Sequence, residues 1–391
     1  MRRELVVSFG IVAVLVLSAG SLAAEEDVLV VDTGGGAEYR SLQAAVDAAE
    51  PGDTVRVRSG TYREQVTVEK DLRIVAPNGA VLNGSGTDRR TAIDIGSDAG
   101  VLVDGLTITG YTTGINAQGT DGEWRLRNVT VRDVEFAAVA AGGSTGDWTV
   151  TDLSVRNTSS GVSAASTSGD WRVSDTEIRN VREGHAIEAK SSTGNWTLDT
   201  VTVSNVDFVG VSASFTEGDW RMRNVTIRNA TVGTGAIEAG GNWSIRGSVI
   251  VDASVSERYD FMQPALEEGV GLYARDTTGS WTVHDTRFDD NEGAGIVAEG
   301  ADPTGNATQN WWGGEGPRCR GNVDCESSPT TQPPEGTTVE TSSPTRSPTA
   351  TAGGTTHSEP ATTTSAPGFG LVITGLLVPE IVVMATIYRR S

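Results

Sequence analysis

Between residues 124 and 289 apolar and polar positions alternate in short bursts, and the burst recurs. Each opens on a tryptophan: Trp124, Trp148, Trp171, Trp196, Trp220, Trp243 and Trp281. Successive gaps are 24, 23, 25, 24, 23 and 38 residues, the last being one ordinary period plus an insertion, SERYDFMQPALEEG at 256–269. Within a period apolar residues fall at Trp, Trp+2, about Trp+5 and Trp+7, as in Trp148, Val150, Leu153 and Val155. Alternation with period two predicts two short strands, each with one buried face. At Trp+4 stand Asn128, Asp152, Asp175, Thr200, Asn224, Gly247 and Asp285, in the main residue types that tolerate the left-handed backbone of a tight corner. A third strand of the form small-apolar-x-Ala follows, as in GINA, AVAA, GVSA and AIEA. Three strands and three bends in each period predict one coil of an all-β parallel solenoid, and the whole chain holds about ten such coils. The frame extends upstream, because Val101, Val103, Leu106 and Ile108 keep the same offsets before Trp124.

The columns that these repeats stack have different expected roles. Trp shares its alternation phase with the aliphatics at Trp+2, so the Trp column belongs to the core rather than to an exposed sugar platform. A column of small residues opposes it: Ala117, Ala141, Ala164, Ala189, Ala213, Ala239, Ala274 and Ala298, since large against small fills a narrow core. At Trp+9 Asp133, Asn157, Asn180, Asn205, Asn229, Asp252 and Asp290 read as a ladder at a bend, bonding backbone groups of neighbouring coils, rather than as a metal site. Acidic residues at Trp−1 (Glu123, Asp147, Asp170, Asp219) beside arginines at Trp+1 (Arg125, Arg172, Arg221) read as a surface ion ladder of small energetic weight.

Charge narrows the partners. The 391 residues carry a net charge of −21, with 51 Asp and Glu against 30 basic residues. Only Lys70 and Lys190 are lysines. Such a surface repels phosphate backbones and excludes nucleic acid as a partner. Abundant carboxylates with almost no lysine fit a halophilic setting, where salt screens their repulsion. Residues 1–23 read as a secretory signal: Arg2 and Arg3, an apolar run from Leu5 to Leu17, then a small-x-small site.

The next stretch opens the solenoid, which spans 24–325 with its caps. Ser41 is placed to cap a short helix whose Leu42, Ala45, Val46 and Ala49 share one face, closed by Pro51-Gly52. That helix is the natural lid on an open coil end. Strands are expected around Val55–Val57, Gln65–Val68 and Leu72–Val75. With Pro51-Gly52-Asp53-Thr54 and Gly60-Thr61-Tyr62-Arg63-Glu64, this passage resembles the start of right-handed parallel β-helix proteins of the pectin-lyase-like superfamily. It is most similar to their carbohydrate-binding and sugar-hydrolysis type, or to the nitrous-oxide-reductase-maturation type. The resemblance covers about residues 32–318 and implies a single-stranded right-handed parallel β-helix. Asn310-Trp311-Trp312-Gly313 followed by Gly316-Pro317 looks like the aromatic plug that closes many such helices. Cys319 and Cys325 follow. In an exported chain two cysteines this close are expected to pair, and no third ligand accompanies them for a metal.

Residues 326–366 turn to Thr, Ser, Pro and Gly, a composition that buries no core and reads as an extended stalk. Residues 367–391 open on Pro367-Gly368-Phe369, continue apolar to Tyr388 and end on Arg389-Arg390. This order resembles the archaeal PGF-type C-terminal sorting signal. It implies removal by an archaeosortase, leaving the protein lipid-anchored at the cell surface. Pro379-Glu380 inside the apolar run departs from a simple membrane span. Of eight Asn-x-Ser/Thr sequons, Asn128, Asn224 and Asn306 fall at corners or loops and are the expected glycosylation sites of this surface glycoprotein.

Candidate chemistry is sparse. His185, His284 and His357 share no repeated position, and no Ser-His-Asp or metal-ligand spacing appears. Aligning the third strands on their alanines brings Glu188, Lys190, Glu238, Tyr273 and Arg275 onto one outward face. They are the candidate ligand-binding residues, beside the insertion. Glu188, Lys190, Glu238 and Arg275 are also the candidate catalytic residues, with carboxylates for glycoside hydrolysis or a basic group for a lyase. A lyase of the resembled superfamily would add calcium, and no other cofactor is implied. The leading expectation is a non-catalytic, surface-anchored rod, structural or glycan-binding. The alternatives are a polysaccharide lyase or hydrolase, and, by resemblance only, a maturation factor for an exported metalloenzyme. Scarce histidine argues against direct copper handling.

Overall fold

In a computed structural model the chain is described over residues 26–325, apart from 87, 89, 255–268 and 314–317. The leader, the Thr-rich stretch, the Pro367-Gly368-Phe369 signal, Gly316-Pro317 and all of the insertion but Gly269 lie outside the described residues. What is described is an all-β parallel solenoid of about 11 turns with almost no helix. Each strand pairs in parallel with the equivalent strand one period on, so like residues meet like: Trp148 with Trp171, Val150 with Val173, Val155 with Ile178. The first two strands of a coil run on as one bent element, as in Trp148–Thr158, and Ser160–Ser163 supplies the third.

The corners fall where the sequence puts them. Backbone φ is 51° at Asn128, 53° at Asp152 and 57° at Thr200, all at Trp+4. It is 57° at Asn157, Asn180 and Asn205, all at Trp+9. A third left-handed corner, at Trp−5, passes through Gly119, Gly143, Ser166, Ser191 and Phe215. Its mixed composition gave no sequence signal. Glycine is required two residues before each tryptophan, because coils approach backbone to backbone there. A Cβ on Gly194 would collide with the carbonyl of Gly169.

The core is one continuous cluster, with the tryptophans stacked along its axis. Ring centroids of successive indoles, Trp124 through Trp281, are 4.6–5.0 Å apart with interplanar angles of 2–8°. Beside them runs a feature that apolar patterning does not reveal. Thr120, Ser144, Thr167, Ser192, Thr216 and Thr277, four residues before six of the seven tryptophans, are completely buried. All their hydroxyls but that of Thr277, which is buried without a partner among the described residues, are satisfied locally: Ser144 Oγ shares its one proton between the carbonyls of Ala141 (2.7 Å) and Ala117 (2.9 Å). The Trp124 indole N–H donates to Thr120 Oγ1 at 3.2 Å.

Backbone-bonding belongs to a different polar ladder from the one the sequence suggested. At Trp+9 the amides bond one another: Asn229 donates to Asn205 (2.9 Å), Asn205 to Asn180 (3.0 Å), Asn180 to Asn157 (3.0 Å) and Asn157 to Asp133 (2.8 Å). An amide both donates and accepts, so identical side chains at coil spacing link directly. Backbone-bonding occurs at Trp−1 instead. Asp147 Oδ1 accepts the N–H of Asp170, Asp170 that of Asn195, Asn195 that of Asp219, and Asp219 that of Asn242. Those carboxylates are therefore not the partners of the neighbouring arginines. Glu123 pairs with Arg125 at 3.2 Å, but Arg172 reaches Asp199 on the next coil at 2.7 Å.

At the N-terminal end the helix Leu42–Ala48 packs Leu42, Ala45 and Val46 inward, with Ser41 as its cap. Glu64 completes the cap, accepting from Ser41 Oγ (2.6 Å) and from the backbone N–H groups of Leu42 (2.8 Å) and Gln43 (3.1 Å). At the other end Trp312 is buried and stacks on Phe288 at 5.2 Å. Asn310 locks that motif, accepting the Thr286 N–H and donating to the Val283 carbonyl. One further turn, Cys319–Gly321, lies beyond, held by the Cys319–Cys325 disulfide.

Candidate functional site

The third-strand face does not bring all five candidate residues into one row. Glu188 pairs with Ser212, Ser212 with Gly235, and Gly235 with Tyr273. The alanine that continues the column is therefore Ala236, opposite Ala274, and not Ala239. Glu238 falls past the end of the strand, on the left-handed corner at φ 50°, exposed. Ala239 instead occupies the buried hydroxyl column, between Thr216 and Thr277. Counting back from the next tryptophan would have exposed this: the column alanine stands seven residues before it in every coil, and Ala236 is seven before Trp243.

The remaining four separate into two pairs, three coils apart. Glu188 accepts from Ser163 Oγ at 2.8 Å, with the buried His185 ring nitrogen 3.9 Å away. Lys190 lies over the Phe215 ring at 5.9 Å. Tyr273 is buried and donates to Glu299 at 3.0 Å. Burial, then the Glu299 charge, pushes its hydroxyl up to about 12, so it stays protonated and keeps its proton for Glu299. Arg275 sits 3.7 Å from Asp276. Between the pairs, Ile237 joins Val209, Val232, Val270, Ala294 and Val297 in a small apolar cluster around Tyr273. Among the described residues no three His, Cys, Asp or Glu side chains converge as a metal site.

A different surface is concave. A groove follows the corner beside the tryptophan column across five coils, lined by the Trp−1 and Trp+1 positions, from Glu123 and Arg125 to Asp219 and Arg221. Its aspartates, Asp147, Asp170 and Asp219, are held by backbone N–H groups of the following coil, and Glu123 is paired with Arg125. The groups it leaves to offer are the guanidinium of Arg221, which has no ion pair among the described residues, and the hydroxyls of Thr149 and Thr197. The three expected glycosylation asparagines, Asn128, Asn224 and Asn306, are all exposed.

No family model and no curated protein matches this sequence. Solved structures do resemble it. An alginate lyase from Paenibacillus sp. str. FPU-7 is 14% identical over 76% of this chain and 99% of its own, with a TM-score of 0.48. The pectate lyase Pel9A is 13% identical over 80% of each chain, TM-score 0.42. A lacto-N-biosidase of Eubacterium ramulus is 12% identical over 78% of this chain and 67% of its own, TM-score 0.44. At this level the likeness is one of fold and carries no chemistry across.

Proposed function

We propose that the chain is an exported rod, anchored at a cell surface through its C-terminal segment, that holds a glycan without cleaving it. The groove beside the tryptophan column supports this reading. Five successive coils present the same two positions to it, so the surface repeats at the coil spacing, ~4.8 Å, as a polymer repeats. A repeating surface adds small contacts over many sugars, whereas cleavage needs one unique set of converging groups. Export, glycosylation at Asn128, Asn224 and Asn306, and anchoring by way of Pro367-Gly368-Phe369 rest on the sequence.

The test uses the full chain in concentrated salt, incubated with acidic and neutral polysaccharides, with and without calcium. Retention of a glycan whose chain length does not change is the expected result. Shortening that Glu188→Gln abolishes would replace this reading with a lyase or hydrolase. Neither retention nor shortening would leave a purely structural rod. Deletion of 367–391 should release the protein into the medium, and a deleted chain that stays on the cell contradicts the anchor.

A further inference from the structure

The outward face of the second strand carries a row that neither the groove nor the third strand uses. Register places Arg132 beside Arg156, Arg156 beside Arg179, Arg179 beside Ser204, and Ser204 beside Arg228. Four guanidinium groups thus follow the rod axis on five consecutive coils, in a chain whose net charge is −21. Two of them have partners from their own coil: Arg132 pairs with Asp133 at 2.8 Å, and Arg179 with Glu177. Arg156 and Arg228 form no ion pair among the described residues. Two positions back on the same face runs a second row, Thr130, Ser154, Glu177, Thr202 and Thr226, in the same register and partly exposed.

Like charges directly opposite one another across neighbouring strands are unfavourable. Packing does not require arginine there, since Ser204 fills the same position within the row. A ligand that brings one negative charge per coil would turn that repulsion into attraction.

We propose that this face binds an acidic polysaccharide lying along the rod. Arg156 and Arg228 take carboxylate or sulfate groups in forked hydrogen bonds, and the hydroxyls of Ser154, Thr202 and Thr226 meet those of the sugars. The coil spacing of ~4.8 Å is close to the length of one sugar in an extended chain, so successive acidic sugars keep step with successive coils. Duplex nucleic acid fits less well. It carries about one charge per 1.7 Å along its axis, several times the density of the row, and the surrounding carboxylates repel the excess. At molar salt the Debye length falls to about 3 Å, so contact pairs decide binding there and steering does not. This proposal deepens the glycan-holding reading but uses a different face from the groove, so each can fail separately.

The test is calorimetric titration of the full chain, in the salt that keeps it folded, with three probes: polygalacturonate, its methyl ester and a duplex DNA. Polygalacturonate should bind, and the uncharged ester and the DNA should not. The double variant Arg156→Ser, Arg228→Ser should bind about tenfold more weakly or worse, because charged hydrogen bonds are lost. Arg156→Lys with Arg228→Lys should recover only part, since lysine lacks the fork. The loss caused by Arg156→Ser with Arg228→Ser should be the same in a background that carries Arg172→Ser and Arg221→Ser in the groove. Equal binding by the chain and its Arg156/Arg228 double variant, loss confined to the groove variant, or a preference for DNA each overturns the proposal. Serine already stands at position 204 in this row, and an unchanged circular dichroism spectrum confirms that the variants fold.

Discussion

Gly305 lies flat against the indole of Trp281: a Cβ on this glycine would fall inside the van der Waals surface of Cζ2, Cη2 and Cε2 of the ring. The stack of seven tryptophans ends there, on a residue with no side chain. Its other end rests on Val101, which pairs in register with Trp124.

Gly305→Ala is accordingly expected to destabilise the fold by about 1–3 kcal/mol, the usual cost of overpacking. Trp281→Phe removes the ring atoms that the new methyl would strike. In that background Gly305→Ala should therefore cost less, and denaturant melts of the four-member cycle read the coupling directly. Additive costs would show that the backbone, not the indole, resists a side chain at 305.

The stack makes a second prediction about its own members. The indole N–H groups of Trp148, Trp171, Trp196, Trp220, Trp243 and Trp281 are buried with no acceptor, and each such donor costs roughly 1–3 kcal/mol. Stacking and burial must outweigh this, with about 0.5–1.5 kcal/mol per ring pair beyond the area effect. Trp196→Ala should cost about 3–5 kcal/mol. Trp196→Phe should cost much less than that, because it deletes the unpaired donor along with part of the volume. Equal costs would show that the N–H is not a burden. Both variants should also weaken the exciton couplet that closely stacked indoles produce in circular dichroism.

The legibility of this fold follows from its redundancy. Trp, Val and Ile at fixed offsets, with Asn or Asp at Trp+4 and Trp+9, report the strands and two of the three corners because each is sampled seven times. The third corner is invisible, since Gly119, Ser166 and Phe215 share only a backbone angle and no chemistry. The buried hydroxyl column was hidden because Thr and Ser look like surface residues; burial is favourable only because the Ala carbonyl three residues earlier accepts the hydroxyl proton. Glu238 was misplaced for a related reason. GAIEAGG offers two alanines, and only Ala236 keeps the distance to the next tryptophan. The candidate site was harder to read than the fold, because function departs from the repeat and so is sampled once.

The amide ladder should respond asymmetrically to substitution. Asn180 donates to Asn157 and accepts from Asn205, at a corner with φ 57°. Asn180→Ala loses both bonds and places a residue poorly suited to that angle, for an expected cost of about 1–3 kcal/mol. Asn180→Gly loses the bonds but suits the angle, so it should cost less than alanine. Asn180→Asp keeps the acceptor for Asn205 and loses only the donor. A ranking with alanine least harmful would mean that the ladder contributes nothing.

The same ladder ends on acids at both sides, and these should titrate in opposite senses. At one end Asp133 accepts the Asn157 amide, which with the nearby Arg132 holds its carboxyl below the ordinary 3.8. Its contribution is therefore present above that value and is lost as pH falls through the depressed one. At the other end, burial and then the charge of Asp290 raise the Asp252 carboxyl above 3.8, against the opposing pull of Arg228. Ionised Asp252 is thus disfavoured by folding, and it has no donor to offer the oxygen of Asn229, which accepts no hydrogen bond among the described residues. Asp252→Asn removes the charge and supplies the missing amide donor, so it should stabilise the protein at neutral pH. Part of that gain is electrostatic and should shrink as pH falls through the raised value toward 3.8, where the native carboxyl becomes protonated and is itself able to donate. Stability curves for the two proteins across this window check the sign. A gain that grows on acidification, or a loss at neutral pH, would show that Asp252 is held ionised by Arg228 rather than disfavoured by Asp290.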